Sequence, residues 1–237
     1  MKLSDIFAQL AYGELSQVAL VDANTGLLSE AKYPAVLAHV TLGLTALYTR
    51  FNLKENRLVL PLRARQVSYA LHSSEDIRVA FGEEDFNDDV LKVEKVLTSA
   101  GIELGLNDAS DPFGCTTPST AVLRVALAVV NKGPDLPADL ITDSLELVYR
   151  ANHPRIVIPA SGLAPARVNI ELPDSHLEPL LLYVASRVHN PIGMSNEFHA
   201  GNSWYAKYEA ACARLENEGL EIDRGSQNTR AGRGGWV

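Results

Sequence analysis

Apolar residues recur at helical spacing in the first fifty residues of the chain. Near the start they fall at i, i+3, i+4 and i+7, which predicts a short helix ended by Gly13. Its inward residues are Leu3, Ile6, Phe7 and Leu10. Ser29 can cap a second, longer helix with Pro34 in its first turn, where a missing N–H costs little. The apolar stripe of that helix comprises Val36, Leu37, Val40, Leu44, Leu47, Tyr48 and Phe51.

Between Leu53 and Leu172 the spacing changes from helical to alternating. Three short runs have the period of two that predicts strands. They are Val67, Tyr69 and Leu71; Leu91, Val93 and Lys95; and Val168, Ile170 and Leu172. Pro and Gly residues punctuate the same stretch and indicate loops between short strands. We therefore predict a β-rich module inserted between the second and third helices.

Helical spacing returns after Asp174, which can act as an N-cap. The inward residues of this third helix are Leu177, Leu180, Leu181, Val184 and Val188. A final helix is predicted from Asn196 to Gly219, marked by Phe198, Trp204, Tyr205, Tyr208, Ala211, Cys212 and Leu215. Arg214 and Glu218 lie four residues apart on that helix, and we expect them to form a surface ion pair.

Residues 221–237 are rich in Gly and polar side chains. Such a segment buries too little apolar area to offset an ordering entropy of about 1 to 2 kcal/mol per residue. We expect it to dock on a partner as an extended arm, through its three arginines and its terminal apolar pair: Arg224, Arg230, Arg233, Trp236 and Val237.

These patterns predict an α+β fold, with a bundle of about four helices that carries an inserted β-rich domain and ends in the arm. The boundaries that we assign are 1–52 for the N-terminal helices, 53–172 for the β-rich module, 173–220 for the C-terminal helical hairpin and 221–237 for the arm.

Composition and charge narrow the class of protein. The chain has 237 residues, of which 46% are hydrophobic, and a formal net charge of −8. The hydrophobic fraction is typical of a packed protein, and the acidic balance argues against avid DNA binding, which needs clustered Lys and Arg. The two cysteines make no disulfide framework, and no apolar run approaches the roughly 18 residues that span a bilayer. We expect a protein that is made in the cytosol and has no membrane partner.

The sequence lacks the strong signatures of enzyme chemistry. It contains no Gly-x-Ser-x-Gly elbow, no phosphate-binding Gly-rich loop and no His-Glu-x-x-His motif. The six histidines do not have metal-ligand spacing, and Asp108 and Asp111 fit turn chemistry better than a divalent-ion loop. We therefore predict no catalytic residue, no cofactor and no metal site, and we interpret the acidic runs at 83–85 and 87–89 as solvated loop.

Large side chains on the last two helices are candidates for a subunit interface or for the core. The aromatic residues among them lack the interleaved basic residues of a base-stacking platform. The set comprises Tyr183, Arg187, Trp204, Tyr205 and Tyr208.

Several stretches of the chain, taken in their order, resemble one family. They are YPAVL at 33–37, GLTALYTRF at 43–51, LELVYRA at 145–151, LPD at 172–174 leading into LLYVASR at 181–187, and YAKYEAA at 205–211. In this order they resemble the head-to-tail adaptor, or neck, proteins of tailed bacteriophages, and are similar to the tail tubular protein A group of short-tailed phages. The stretches are packing and turn patterns, and the resemblance covers most of the chain.

The resemblance implies a structural virion protein of the head–tail junction, assembled in the host cytoplasm. Such proteins form a ring of about twelve copies beneath the portal protein and continue the DNA channel. The ring offers a platform to the next tail component, a nozzle or tail tube, while double-stranded DNA passes through without specific binding. In this family a C-terminal arm grips the portal, and the matching positions here are Arg224, Arg230, Arg233, Trp236 and Val237.

Two alternatives stay open at this point. A different tail-completion or minor capsid protein with similar helices would contact DNA or the tail tube instead of the portal. A small hydrolase that uses Cys115 or His153 would present a pocket with convergent polar groups and act as a monomer.

Overall fold

The computed structural model describes residues 1–16, 18–22, 25–73, 78–79, 86–158, 162–189 and 195–219, with 78–79 and 195–200 described by their backbone. The fold is α+β, as predicted. The described chain forms two compact units, a helical unit from 1–53 with 153–219 and a β unit from 54–152. The predicted arm and its five docking residues lie outside the described residues.

The helices are α1 (Leu3–Tyr12), α2 (Tyr33–Arg50), α3 (Leu127–Val130), α4 (Leu177–Val188) and α5 (Ser195–Asn217). The strands are β1 (Glu55–Pro61), β2 (Ser68–Ala70), β3 (Arg78–Val79), β4 (Val90–Thr98), β5 (Glu103–Leu104), β6 (Cys115–Ser119), β7 (Val122–Val125) and β8 (Ser144–Ala151). Short 3₁₀ turns at Glu30–Lys32 and Asp174–His176 lead into α2 and α4.

Both ends of the described chain contribute to the helical unit, in which α4 packs against α1, α2 and α5. The predicted inward faces of α1 and α2 are confirmed, since every residue of both apolar stripes is buried. Gly13 follows the end of α1, and its N–H donates to the carbonyl of Gln9. Ser29 precedes the 3₁₀ turn instead of capping α2 directly, and its side chain makes no capping hydrogen bond.

Close approach of α2 and α4 depends on the absence of a side chain at Gly43. A Cβ built there would lie 2.7 Å from Leu180 Cδ1 and 3.0 Å from Tyr183 Cδ1. Because both neighbouring side chains are buried, they have little room to move away. Gly43 therefore sets the spacing of these two helices.

The β unit contains two antiparallel sheets. The larger has the order β3-β1-β8-β4-β5 and the smaller has the order β2-β7-β6. β8 is the central strand of the larger sheet and pairs with β1 from Ser144 to Arg150 and with β4 on its other side. Side chains from both sheets form one core, which includes Tyr69, Val96, Leu123, Leu145 and Tyr149.

Two of the predicted alternating runs lie in strands of this unit, although their alternation is imperfect. Tyr69 and Leu71 are buried as expected, whereas Val67 is 40% exposed. In β4 the pairing with β8 shifts register at Val90/Lys92 and again at Val93/Lys95. Each irregularity changes the face on which the following side chains lie.

The β unit ends at Asn152, whereas the predicted β-rich module extends to Leu172. The alternating run at 168–172 forms no strand of its own. It instead pairs with the start of the chain: Ile170 N–H donates to Met1 O at 2.9 Å, and Leu3 N–H donates to Val168 O at 3.0 Å. These backbone bonds hold the segment in the helical unit.

The last two helices are present as predicted, but Asp174 begins a 3₁₀ turn and does not cap α4, which starts at Leu177. α5 ends near the predicted residue, and Gly219 adopts the left-handed conformation (φ 65°) of a helix terminator. The predicted pair of Arg214 with Glu218 is wrong. Arg214 instead donates to the carboxylate of Glu178 on α4, because α4 lies beside α5.

Candidate interaction surfaces

Four of the five candidate interface residues meet between α4 and α5. The ring of Tyr208 packs edge-on against Tyr183, at 5.3 Å between centroids, and contacts Tyr205 at 5.6 Å. The guanidinium of Arg187 lies 5.1 Å from the centre of the Tyr183 ring, and its Nη2 donates to Tyr183 Oη at 3.1 Å. Tyr183 and Tyr208 are buried, whereas Tyr205 is 45% exposed and can contact a partner.

The fifth candidate, Trp204, contacts a different set of residues. Its ring stacks on His189 at 5.9 Å, and the ammonium of Lys207 lies 4.1 Å from the ring centre. The Nε2 of His189 lies 3.0 Å from the carbonyl oxygen of Glu14. Trp204 therefore packs the first half of α5 against the C-cap residue of α4, and its side chain is half-buried there.

An ion-pair cluster that the sequence reasoning missed joins the end of α2 to α5. Arg50 Nε donates to Glu216 Oε1 at 2.6 Å and Nη1 donates to Glu209 Oε2 at 2.6 Å. Hydrogen bonding to Glu216 raises the pKa of Arg50, and the same bond lowers the pKa of Glu216. Glu209 and Glu216 lie seven residues apart, which places them on one helix face. The seven-residue spacing of the two glutamates was the feature of the sequence that could have indicated a shared cationic partner.

We expect Arg50→Gln to lower the free energy of unfolding of the helical unit by about 1 kcal/mol at neutral pH, because two partly exposed carboxylates lose their shared cation. The pKa of Glu216 lies below its ordinary value of 4.5 in the folded protein, so the folded state holds fewer protons than the unfolded one in that range. The difference between variant and wild type should therefore shrink as pH falls through the lowered pKa.

Urea titrations at several pH values measure this effect. Arg214→Gln is the matched control, since it removes an ion pair of α5 whose two side chains are more than half exposed, and it should cost less than about 0.5 kcal/mol. An equal loss of unfolding free energy in both variants would show that Arg50, although it contacts two carboxylates, stabilises the fold no more than an exposed ion pair does.

The two cysteines are buried thiols. Burial, followed by the nearby charge of Asp111, raises the pKa of Cys115 to about 12, so its thiol is protonated at neutral pH. Burial also raises the pKa of Cys212. Since the thiolate is the nucleophile in cysteine chemistry, this geometry gives no support to the hydrolase alternative at Cys115.

His153 has a structural partner at each ring nitrogen. Glu171 N–H donates to its Nε2 at 3.0 Å, and its Nδ1 lies 2.7 Å from Pro154 O. A neutral ring with the proton on Nδ1 satisfies both bonds. The ring also packs edge-on against Tyr48 at 5.6 Å, so His153 holds the segment after the β unit against α2. In the described chain, no group of three His, Cys, Asp or Glu side chains could hold a metal ion.

The outward face of α2 is uncharged. The one charged residue of this helix is Arg50, at its end, and the exposed positions are Pro34, Ala35, Ala38, Thr41, Leu42 and Thr49. A helix face in contact with water usually carries charged residues. Depletion of charge together with an exposed leucine is typical of the central part of a protein interface.

Other apolar side chains of the helical unit are also exposed. They are Tyr12, Leu27, Val157, Ile158 and Tyr205, of which Val157 is the most exposed at 77%.

None of the helices in the described part of the chain combines the length and apolar composition that a bilayer-spanning segment requires.

No protein-family model matches the chain, and the search of curated proteins found no match.

Proposed function

We propose that this chain is a structural virion protein, a head-to-tail adaptor that forms a ring beneath the portal of a tailed bacteriophage. The ring would join the DNA-filled head to the tail and continue the DNA channel. The proposal starts from the resemblance of the ordered stretches 33–37 to 205–211 to this family. The fold expected for that family is a helical bundle with an inserted β domain. The described chain consists of a helical unit, formed by two separate segments, and a β unit from the segment between them.

The observation that carries the proposal is the uncharged outward face of α2. This face extends over most of an 18-residue helix, and in a monomer it would leave Leu42, 52% exposed, in contact with water. In a closed ring each subunit uses two different faces, so the α2 face of one copy would be covered by a neighbour. Tyr205 and Val157 offer further apolar area for subunit contacts in the same unit.

Avidity would then join the ring to the portal. One arm of residues 221–237 contributes little alone, whereas a ring of arms at matched spacing acts at high effective concentration. Arginine offers bidentate contacts to carboxylates, and tryptophan offers a large apolar anchor. Arg224, Arg230, Arg233 and Trp236 are the residues proposed for these contacts.

Electron microscopy of the purified protein, alone and mixed with the portal protein of the same virus, tests the proposal. We expect rings with a central hole, and rings stacked on the portal in the mixture. Deletion of 221–237 should abolish portal binding and leave rings in place, because α2 lies outside the deletion. A monomer in both samples would contradict the proposal, and portal binding that survives the deletion would remove the role of the arm.

A further inference from the structure

The smaller sheet of the β unit carries no acidic residue. Segments 62–73 and 112–134 supply its three strands and the adjoining loops, and neither contains Asp or Glu. They carry four cations instead: Arg63, Arg65, Arg124 and Lys132. In a chain with a net charge of −8, this separation of charge is marked. We refer to these two segments as the acid-free sheet.

Hydrogen-bond donors form a row across the outer face of the acid-free sheet. Arg124 on β7 is paired with Ser68 on β2 and with Thr116 on β6, and side chains of paired residues lie on the same face. All three are exposed, whereas the next pair along the strands, Tyr69 and Leu123, is buried in the core. The row therefore presents one guanidinium between two hydroxyl groups.

Two of the cations occupy backbone conformations that favour glycine. Arg65 has φ 66° and Lys132 has φ 50°. The two lie close together, since Arg65 N–H donates to the side chain of Asn131 at 3.0 Å. Arg65 sits in a turn closed by Gln66 N–H to Arg63 O, and Lys132 terminates α3, where Gly133 N–H donates to Ala128 O.

Glycine at either position would remove this backbone strain. The other non-glycine residues with positive φ are Asp88 and Asn107 in the described chain, and each of them accepts backbone N–H bonds through its own side chain. The side chains of arginine and lysine carry no acceptor and cannot form such a bond. The positive charge itself is the property that these two residues add, although Lys132 also pairs with Asp143.

We infer that the acid-free sheet binds the phosphate backbone of duplex DNA, without reading its sequence. Guanidinium and hydroxyl groups are the side chains that contact phosphates, and the exposed row itself carries no carboxylate that would repel them. Asp88 and Asp143 reach the acid-free sheet at His72, Ser73 and Lys132, which lie outside the row.

An interface with an acidic protein would have an apolar core. The exposed apolar residues of the acid-free sheet, Val67 and Leu127, lie outside the row from Ser68 to Thr116. The inference rests on charge within the β unit, and it does not require the proposed place in the virion.

Fluorescence anisotropy with a labelled random-sequence duplex, at about 50 mM salt and above, tests this inference. Arg65→Gln/Arg124→Gln should weaken binding about tenfold and reduce the slope of log K against log salt by about 0.9 for each lost phosphate contact. The matched control is Arg57→Gln/Lys92→Gln, which removes two exposed cations whose carboxylate partners are partly buried in the same unit. It should change binding less than twofold.

A second variant separates charge from folding. Arg65→Gly removes the cation and the positive-φ strain together, so it should weaken DNA binding while the melting temperature stays the same or rises.

Unlabelled polyglutamate of equal charge serves as a competitor and should displace the duplex poorly. No binding by the wild type, an equal loss in the control, or efficient displacement by polyglutamate would each overturn the inference. Ring images remain an independent readout of the proposed function.

Discussion

Replacing Leu44 with alanine should lower the free energy of unfolding of the helical unit by about 3 to 4 kcal/mol. Leu44 is 1% exposed and belongs to the buried stripe of α2. The substitution removes three buried carbon atoms and leaves a cavity that the surrounding helices close only in part. Because native proteins are stable by about 5 to 15 kcal/mol in total, this loss is large.

Leu42→Ala is the matched control for this prediction. It makes the same change two residues earlier on the same helix, at a side chain that is 52% exposed, and alanine favours the helix. We expect a change in the free energy of unfolding within about 0.5 kcal/mol. The proposed ring gives the control a second use, because loss of rings in Leu42→Ala at unchanged monomer stability would assign Leu42 to a subunit contact.

Urea titration followed by the fluorescence of Trp204 measures both variants. The chain contains two tryptophans, so a Trp236→Phe background leaves Trp204 on α5 as the reporter of the helical unit. Equal losses in Leu44→Ala and Leu42→Ala would contradict the described orientation of α2. The titration also avoids the assumption that the two units unfold together, since the reporter lies in one of them.

The helices were predictable because their signals are local. The stripe of α2 extends over several turns with one period, so the pattern determined both the helix and its inward face. The class α+β followed from the change of period after Leu53. In each of these cases, residues close in the sequence carry the information.

The missed features depend on residues that are far apart in the sequence. The segment 153–172 joins the helical unit because Ile170 and Val168 bond to the first three residues of the chain, and no local pattern encodes such a pairing. Arg50 meets Glu216 across 166 positions for the same reason. The register shifts in β4 also arise from its pairing with β8. Strict alternation along the sequence therefore does not give the correct sheet face for every residue of β4.

The candidate surfaces were predictable in part. The absence of acidic residues in 62–73 and in 112–134 is a property of the sequence, whereas their meeting in one sheet is a property of the fold. The left-handed conformation of Arg65 and Lys132 had no sequence signal, since neither is glycine, asparagine or aspartate. Trp204 and Tyr205 are neighbours in sequence, yet they contact different residues because successive side chains on a helix point about 100° apart.

Replacing Gly43 with valine should lower the free energy of unfolding of the helical unit by about 2 to 3 kcal/mol. The cause is the reverse of that at Leu44, since the new side chain overfills the space between α2 and α4. Its Cβ alone would approach Leu180 Cδ1 to 2.7 Å, and the valine methyl groups would reach further into buried side chains. The gain in helix propensity over glycine offsets about 0.5 kcal/mol of this cost.

A second substitution at the contacted residue shows whether this contact is the cause. Leu180→Ala alone should cost about 3 kcal/mol through its cavity, but in the Gly43→Val background the valine fills part of that space. The double variant should therefore lose at least about 1 kcal/mol less than the sum of the single losses. Urea titration with the Trp204 reporter gives all three values. Additive losses would show that α2 and α4 do not meet at Gly43, because only residues in contact have a favourable coupling of this size.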